Sequence, residues 1–386
     1  MSARSLSFHL TTVACLVAAS VSLLAQETGS RNQANLAYAN VATNLNSIRT
    51  FAEAPKSFNP LTASDEDLAA YGFPARPDPQ AEPDHYAKWQ RAMQAAKIRW
   101  NGNLTALPAA PKSATDTMLA DTAMVPSDVS ESLPATPTSL NWAGVVLTKN
   151  LTTWSKSSSF RDIYSFMTVP VGQPAFGGGC DFYSQIDFVG LNGYLKNAAF
   201  QPDARGTLMG GVFALSECSR ADAGYYAVFG WNPTLIQTAF KVNAGDIVYT
   251  EVGAPPNGTQ PSYLFIEDLT TLTYNSYAVS IPTNNTFIGD TAEWIVERRC
   301  CRSSGYPFPL LNTIDNFFDG GAALDNAGNT LYPGSQATST DVLTMRDDGN
   351  DQNIELIYQG SSGYEGTHSL LLQTTGCAFS GPCAEK

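Results

Sequence analysis

Histidine is scarce in this chain, which contains three among its 386 residues: His9, His85 and His368. Only His368 follows residue 138, so a Ser-His-Asp or Cys-His site in the C-terminal part would have to use it. That part contains no Gly-x-Ser-x-Gly motif, and the chain contains no His-Glu-x-x-His motif. The scarcity of histidine therefore argues against serine, cysteine and zinc peptidases.

Two further classes of site lack their motifs. Aspartic peptidases use paired Asp-Thr/Ser-Gly loops, but Asp319-Gly320-Gly321 and Asp348-Gly349-Asn350 lack the hydroxyl residue and are predicted to be turns. Gly177-Gly178-Gly179 has no Lys-Ser/Thr after it and cannot be a phosphate-binding loop. No metal site and no cofactor are expected, which leaves carboxylate and amide chemistry.

Positive charge is also scarce. The chain has a formal net charge of −13, and from residue 138 onward 23 Asp plus Glu stand against 12 Lys plus Arg, a net of −11. Such a surface argues against nucleic acid and anionic membranes as partners. In acid the carboxylates become neutral and few positive charges are left to repel one another, which suits a protein that works at low pH.

A single long apolar run, Leu10–Leu24, follows Arg4 at the N-terminus. It predicts a signal peptide over residues 1–25, cut after Ala25, and hence a secreted protein. The alternative is a membrane anchor, but about 15 apolar residues is short for a span.

Six cysteines follow Cys15, an even number that suggests disulfides in an exported chain. The preferred local bridges are Cys377 with Cys383 and Cys180 with Cys218. Adjacent Cys300 and Cys301 would take different partners or form a vicinal link.

Residues 26–137 differ in composition from the rest and end in a Pro-rich linker from Val125 to Thr138. They contain one predicted helix, Pro83–Trp100, which Asp84 can cap. Its apolar stripe consists of Tyr86, Trp89, Met93, Ala96 and Trp100, and its other face is basic. The helix suggests a propeptide that masks the acidic domain until acid weakens the attraction; a stalk or spacer is the alternative.

From Asn141 onward, short alternating runs separated by turn residues predict an all-β antiparallel sandwich or barrel. The predicted strands are Gly144–Thr148, Ile163–Val169, Tyr183–Val189, Thr207–Leu215, Tyr225–Trp231, Asp246–Val252, Tyr263–Asp268, Thr273–Ile281, Ala292–Glu297, Val342–Met345, Ile354–Tyr358 and Ser369–Leu372.

The strand Ala292–Glu297 places Ala292, Trp294 and Val296 on one face, and two carboxylates with Ile295 on the other. The carboxylates of Glu293 and Glu297 either face solvent or one of them is directed into a cleft.

Several motifs resemble those of eqolisins, the glutamic peptidases, in family order over about residues 138–375. They are Asn141-Trp142-Ala143-Gly144, Phe188-Val189-Gly190-Leu191-Asn192-Gly193, Phe200-Gln201, Trp231-Asn232-Pro233, Ala244-Gly245-Asp246, Ile266-Glu267-Asp268-Leu269-Thr270-Thr271 and Ala292–Glu297. The resemblance implies a concanavalin-like jelly roll of two packed sheets over residues 138–386. It also implies an acid endopeptidase whose catalytic pair is Gln201 and Glu297.

Residue chemistry agrees with that implied pair. A glutamate titrates in acid and can act as a general base, whereas a histidine is charged there. A glutamine is neutral at every pH and can donate to an oxyanion. Residues predicted to bind substrate are Trp142, Phe188, Asn192, Trp231 and Glu293, with core packing as the alternative for Trp142 and Trp231.

The sequence departs from the family pattern near the predicted pair. Asn192 replaces Asp, Phe188 replaces Trp, Gly230 stands where the family has a cleft Glu, and Arg298 and Arg299 follow Glu297.

A non-catalytic, lectin-like sandwich that binds polysaccharide or peptide is the alternative function. In the enzyme reading the protein is a monomer, its partners are a protein or peptide substrate and its own propeptide as inhibitor, and it binds neither nucleic acid nor membrane.

Overall fold

The computed structural model describes residues 36–107, 138–139, 141–173, 183–195, 201–202, 206–216, 224–232, 235–298, 311–313, 315–333, 339–346, 352–360 and 369–374. The predicted signal peptide, residues 125–137 of the linker, all the predicted disulfide cysteines and His368 lie outside these residues. Within them, no helix has the length and apolar character needed to cross a membrane.

Residues 36–107, called here the N-terminal layer, contain two helices and four short strands. They are α1 (Asp65–Ala70), α2 (Pro83–Ala95), β1 (Val41–Ala42), β2 (Ile48–Thr50), β3 (Ile98–Arg99) and β4 (Thr105–Ala106). Helix α2 confirms the predicted helix, but its N-cap is Glu82 rather than Asp84. It also ends before the predicted Trp100, because Ile98 and Arg99 instead pair in parallel with Thr273 and Tyr274.

The regular secondary structure in the rest of the described chain is strand, apart from a 3₁₀ turn at Pro256–Gly258. The strands are β5 (Thr138–Ser139), β6 (Trp142–Thr148), β7 (Phe160–Thr168), β8 (Gly172–Gln173), β9 (Tyr183–Leu191), β10 (Tyr194–Leu195), β11 (Gln201–Pro202), β12 (Thr207–Ser216), β13 (Gly224–Asn232), β14 (Leu235–Val242), β15 (Ile247–Gly253), β16 (Ser262–Asp268), β17 (Thr273–Val279), β18 (Thr291–Arg298), β19 (Asn312–Thr313), β20 (Asp315–Asp325), β21 (Thr330–Leu331), β22 (Ser339–Arg346), β23 (Gln352–Gly360) and β24 (Ser369–Thr374).

The long strands form two antiparallel sheets. Sheet I has the order β2-β17-β16-β15-β7-β20-β24-β23, and sheet II has the order β14-β13-β12-β9-β18-β6-β22. Strand β22 joins them, because Ser339–Leu343 pair with β6 while Met345 and Arg346 pair with β23. The all-β class and the antiparallel two-sheet sandwich are therefore confirmed.

All twelve predicted strands are present; of the strands with six or more residues, β14 and β20 were not predicted, and neither were the short strands of two or three residues. Strand β20 contains Asp319-Gly320-Gly321, so the prediction of a turn there is wrong. Its ladder with β7 shifts register between Asp319 and Ala322, and Gly320 has φ +60°. The two glycines therefore form a β-bulge inside a continuous strand.

The main hydrophobic core lies between the two sheets. Ala292, Trp294 and Val296 share one face of β18, as predicted, and that face is directed into the core. The N-terminal layer covers the opposite, outer face of sheet I, where Trp89 and Met93 of α2 pack on the aromatic side chains of that sheet. Helix α2 therefore lies on the far side of the sandwich from the outer face of sheet II.

Candidate active site

The outer face of sheet II carries both carboxylates of β18. Glu293, Ile295 and Glu297 alternate with the three core residues of that strand, as expected for a period of two. Glu293 is fully buried, and Glu297 is 6% exposed. The reading in which this strand turns its carboxylates to solvent is therefore wrong.

Glu297 contacts a residue from a distant strand of the same sheet. Asn232 Nδ2 donates a hydrogen bond to Glu297 Oε2 at 2.5 Å. Strands β9 and β12 lie between β18 and β13, so a flat sheet would separate the two strands by roughly 14 Å. The direct contact requires that sheet II curls and that its outer face is concave.

An apolar cluster lines this concave face. Trp142 is the direct ladder partner of Glu297, and its ring meets Phe188 edge-on at a centroid distance of 5.6 Å. Both rings are fully buried in a cluster with Ile186, Phe213 and other side chains of the same face. The predicted cleft residues Trp142 and Phe188 therefore lie beside Glu297, in surroundings that exclude water and strengthen its electrostatic interactions.

Glu293 occupies a separate place on the same face. It lies four positions before Glu297, or about 13 Å along the strand. It is the ladder partner of Gly190, and Thr291 Oγ1 donates to its Oε1 at 2.5 Å. The geometry thus separates the two carboxylates, and the predicted substrate-binding role of Glu293 stays a prediction.

Asn192 directly follows the last residue of β9 and has a left-handed backbone conformation, with φ +69°. Its Nδ2 donates to the carbonyls of Gly206 and Thr286 at 2.8 and 3.1 Å, and its Oδ1 accepts from the N–H groups of Ile288 and Gly289 at 2.9 and 3.3 Å. An amide has two donors and two acceptor positions, so all of them are used. Asn192 therefore fixes two loops at the end of the sheet and has no hydrogen-bonding capacity left for a substrate.

Trp231 lies in the core between the sheets, where it meets Phe287 edge-on. This position supports core packing, the alternative left open for Trp231, over its predicted contact with substrate. The residue that contacts Glu297 is instead its neighbour Asn232, which was not among the predicted site residues. Strand alternation was the available signal, because an inward Trp231 requires an outward Asn232 on the face that carries Glu297.

Gln201 is described at the level of the backbone. It lies in β11, where it is the ladder partner of Leu195 in β10. Its side chain is outside what the structure describes, so its pairing with Glu297 stays a prediction.

Gly230 stands where the family has a cleft Glu. It adopts φ +139°, a backbone conformation that residues other than glycine rarely take, which gives a physical reason why no Glu stands there.

A further buried acid lies on the inner face behind the site. Asp187 of β9 is the ladder partner of Val296 and accepts a hydrogen bond from Gln185 Nε2 at 2.7 Å. Burial raises the pKa of Asp187, and the opposing effect of the hydrogen bond from Gln185 is smaller, so the pKa is about 7.

Across the described ranges, no group of three or more His, Cys, Asp or Glu side chains could hold a metal ion.

A two-sheet antiparallel sandwich with a buried glutamate on a concave apolar face matches the architecture implied by the motifs. The chain belongs to the Peptidase A4 family, whose model matches residues 140–358. The sequence-based assignment to the eqolisins, the glutamic peptidases, is thereby confirmed. No curated protein matches the chain.

Solved structures with similar folds include three glutamic peptidases. Scytalido-glutamic peptidase with a peptide-based transition-state analogue is 18% identical, with a TM-score of 0.46, over 61% of this chain and 98% of the other. SCP-B of the eqolisin family, in complex with the tripeptide Ala-Ile-His, is 17% identical, with a TM-score of 0.45 and the same coverages. Aspergilloglutamic peptidase from Aspergillus niger is 19% identical, with a TM-score of 0.38, over 50% and 99%.

Proposed function

We propose that this protein is an acid endopeptidase in which Glu297 is the general base. The observation that carries the proposal is the position of the Glu297 carboxylate. It lies almost buried on a concave apolar face and is held by Asn232 Nδ2 at 2.5 Å. A carboxylate fixed in a water-poor cleft is prepared to polarise a single water molecule.

The reaction is hydrolysis of a peptide bond. Glu297 takes a proton from water as the water oxygen bonds to the carbonyl carbon, which forms a tetrahedral intermediate. The C–N bond then breaks, and Glu297 returns the proton to the leaving amine. Gln201 donates an N–H to the oxyanion; loss of such a donor typically costs about 100- to 1000-fold in rate.

Asn232 acts as a positioning residue in this scheme. Its bond to one carboxylate oxygen restricts rotation of the Glu297 side chain and supplies a donor that favours the ionised form. The Trp231-Asn232-Pro233 segment resembles a family Trp-Tyr-Pro motif, so an amide stands here at the position of the family's Tyr.

Acid conditions suit the protein for two reasons. A glutamate base titrates in acid, and the domain carries few positive charges to repel one another when its carboxylates are neutral.

We further propose that the chain is exported through residues 1–25 and is made as a precursor. Of the described N-terminal residues, Leu107 is the one in the apolar cluster of the site face, so inhibition by residues 26–137 would act near it.

The test is degradation of an unfolded protein at pH 2–4 by the purified chain. Activity should be insensitive to pepstatin, which inhibits aspartic peptidases, and to chelators. Gln201→Ala should reduce kcat by about 100-fold or more while KM changes little. Loss of activity on chelation, or full activity of Gln201→Ala, would overturn the mechanism.

A further inference from the structure

We propose that the N-terminal layer, residues 36–107, is a permanent third layer of the sandwich. It stays bound to sheet I as a separate chain after the polypeptide is cut between residues 107 and 138. The interaction surface is the outer face of sheet I, and the partner that fits it is this segment. The proposal is independent of the catalytic assignment.

Backbone pairing joins the layer to both sheets. Strand β2 continues sheet I as the antiparallel partner of β17, and β3 pairs in parallel with another part of β17. Strand β4 pairs with β14 at the edge of sheet II. Side chains reinforce these ladders, since Thr50 Oγ1 donates to the carbonyl of Ser276 at 2.8 Å and Asn275 Nδ2 donates to that of Trp100 at 2.7 Å. Without the layer, edge strands of both sheets would expose unpaired backbone groups.

The second observation is the aromatic character of the covered face. Six of its rings are almost completely buried: Tyr164, Phe166, Tyr249, Tyr263, Phe265 and Tyr274. The layer packs Phe51, Leu68, Phe73, Trp89, Ala92 and Met93 against them. Each buried aromatic residue removes about 150–250 Å² from water. Release of the layer would therefore expose an apolar patch larger than the roughly 300–600 Å² that soluble monomers carry.

Individual contacts show that the fit is specific. The ring centroids of Phe73 and Tyr274 lie 5.0 Å apart. The His85 ring stacks on the Tyr164 ring at a centroid distance of 4.2 Å, with an interplanar angle of 9°. Tyr263 donates its hydroxyl hydrogen to the carbonyl of Gly72 at 2.9 Å. The side chains of sheet I and of the layer therefore fit one another as closely as side chains within a domain core do.

The buried carboxyl of Glu267 does not act as an acid-triggered release of the layer. Glu267 is fully buried on the outer face of sheet I, between its ladder partners Tyr249 and Tyr274. Asp268 and Lys97, the latter from the layer, are the charged groups that act on it. Burial and the nearby Asp268 raise the pKa of Glu267 well above its usual value, while Lys97 lowers it. In acid Glu267 is neutral, which favours its burial, so this group does not drive the layer off at low pH.

The test places the recognition sequence of a site-specific protease between residues 120 and 121 of the full-length Glu297→Gln chain. This substitution prevents digestion by the proposed active site. After folding and cutting, the two fragments should elute together from a sizing column at pH 7.5 and at pH 4. The wild-type background, cut and run at pH 7.5, is the control for the substitution. Elution of the fragments as separate species at either pH would overturn the proposal.

A matched pair of variants checks the surface. Phe73→Ala removes a ring that packs on sheet I, whereas Phe58→Ala removes a ring that packs on Phe73 and Tyr71 within the layer. The cut Phe73→Ala complex should dissociate at least about 100-fold faster on dilution than the cut parent. Phe58→Ala should have a smaller effect. Equal dissociation of both variants would contradict the assigned surface.

Discussion

Asn232 Nδ2 lies 2.5 Å from Glu297 Oε2, although strands β9 and β12 separate the strands that carry them. This single contact relates the shape of the sheet to the chemistry of the site. The curl that brings the two residues together also buries the apolar side chains beneath them. The same bend therefore buries the proposed base among apolar side chains and orients it.

Asn232→Ala should impair catalysis more than folding. Loss of a hydrogen bond to a charged group costs about 1.5–3 kcal/mol, so kcat should fall by about 10- to 100-fold with little change in KM. Asn329→Ala, which removes an exposed amide that binds Asp325 far from the site, is the control and should leave kcat unchanged. A fall in kcat that the Asn329→Ala variant shares would remove the positioning role.

Asn192→Asp would restore the residue of the family pattern but should destabilise this chain at neutral pH. The amide donates to two carbonyls, and a carboxylate would face those carbonyls with no hydrogen to donate. We expect a loss of about 1–3 kcal/mol in the free energy of unfolding at pH 7. The loss should be smaller at pH 3, where the acid is protonated and donates once. Denaturant unfolding at both pH values tests this, and an equal loss at both would contradict it.

Asp187→Asn should flatten the dependence of stability on pH. Because the pKa of Asp187 is raised by burial to about 7, the folded protein holds a proton that the unfolded chain releases near pH 4. Stability is therefore complete below about pH 4 and falls as the pH rises to 7. The variant should match the wild type at pH 3.5 and be more stable at pH 7.

Asp325→Asn is the control of opposite sign. Burial alone would raise the pKa of Asp325, but hydrogen bonds from Lys149 and Asn329 bring it below its usual value. Its contribution to stability is present at neutral pH and lost in acid, so this variant should lose stability at pH 7. A gain in both variants, or in neither, would contradict these assignments.

Glu267→Gln should slow release of the cut N-terminal layer at neutral pH. Because the pKa of Glu267 is raised by burial, rising pH favours ionisation and exposure of this carboxyl. A neutral isostere removes that tendency. Dissociation should slow at pH 7.5 and stay unchanged at pH 4. A variant that dissociates faster at pH 7.5 would show that ionised Glu267 is stabilised by Lys97.

Local sequence pattern was sufficient for much of the fold. The period of two placed Trp294 and Glu297 on opposite faces of β18, and the structure shows that the face of Trp294 is the one in the core. The pattern failed at β20, where Gly320 and Gly321 predict a turn. The ladder between β20 and the neighbouring strand β7 shows that these two glycines form a bulge instead. No local pattern shows how far a sheet curls, so Asn232 could not be paired with Glu297 from sequence.

The same limit applies to the N-terminal layer. The apolar stripe of α2 correctly selected Trp89 and Met93 as buried, but it could not show which surface buries them. The basic face suggested attraction to acidic groups, whereas the contact is mainly aromatic. Only the tertiary structure shows that α2 packs on sheet I, on the far side of the sandwich from Glu297, while Leu107 at the end of the layer joins the apolar cluster of the site face.

The most direct measurement compares Glu297→Gln with Glu293→Gln in the degradation of an unfolded protein at pH 3. Both substitutions replace a buried carboxylate on the same face of β18 by a neutral isostere, and circular dichroism confirms folding of each. The account predicts that Glu297→Gln lowers kcat by at least about 1000-fold, while Glu293→Gln keeps kcat within about tenfold of the wild type. Undiminished degradation by Glu297→Gln would contradict it.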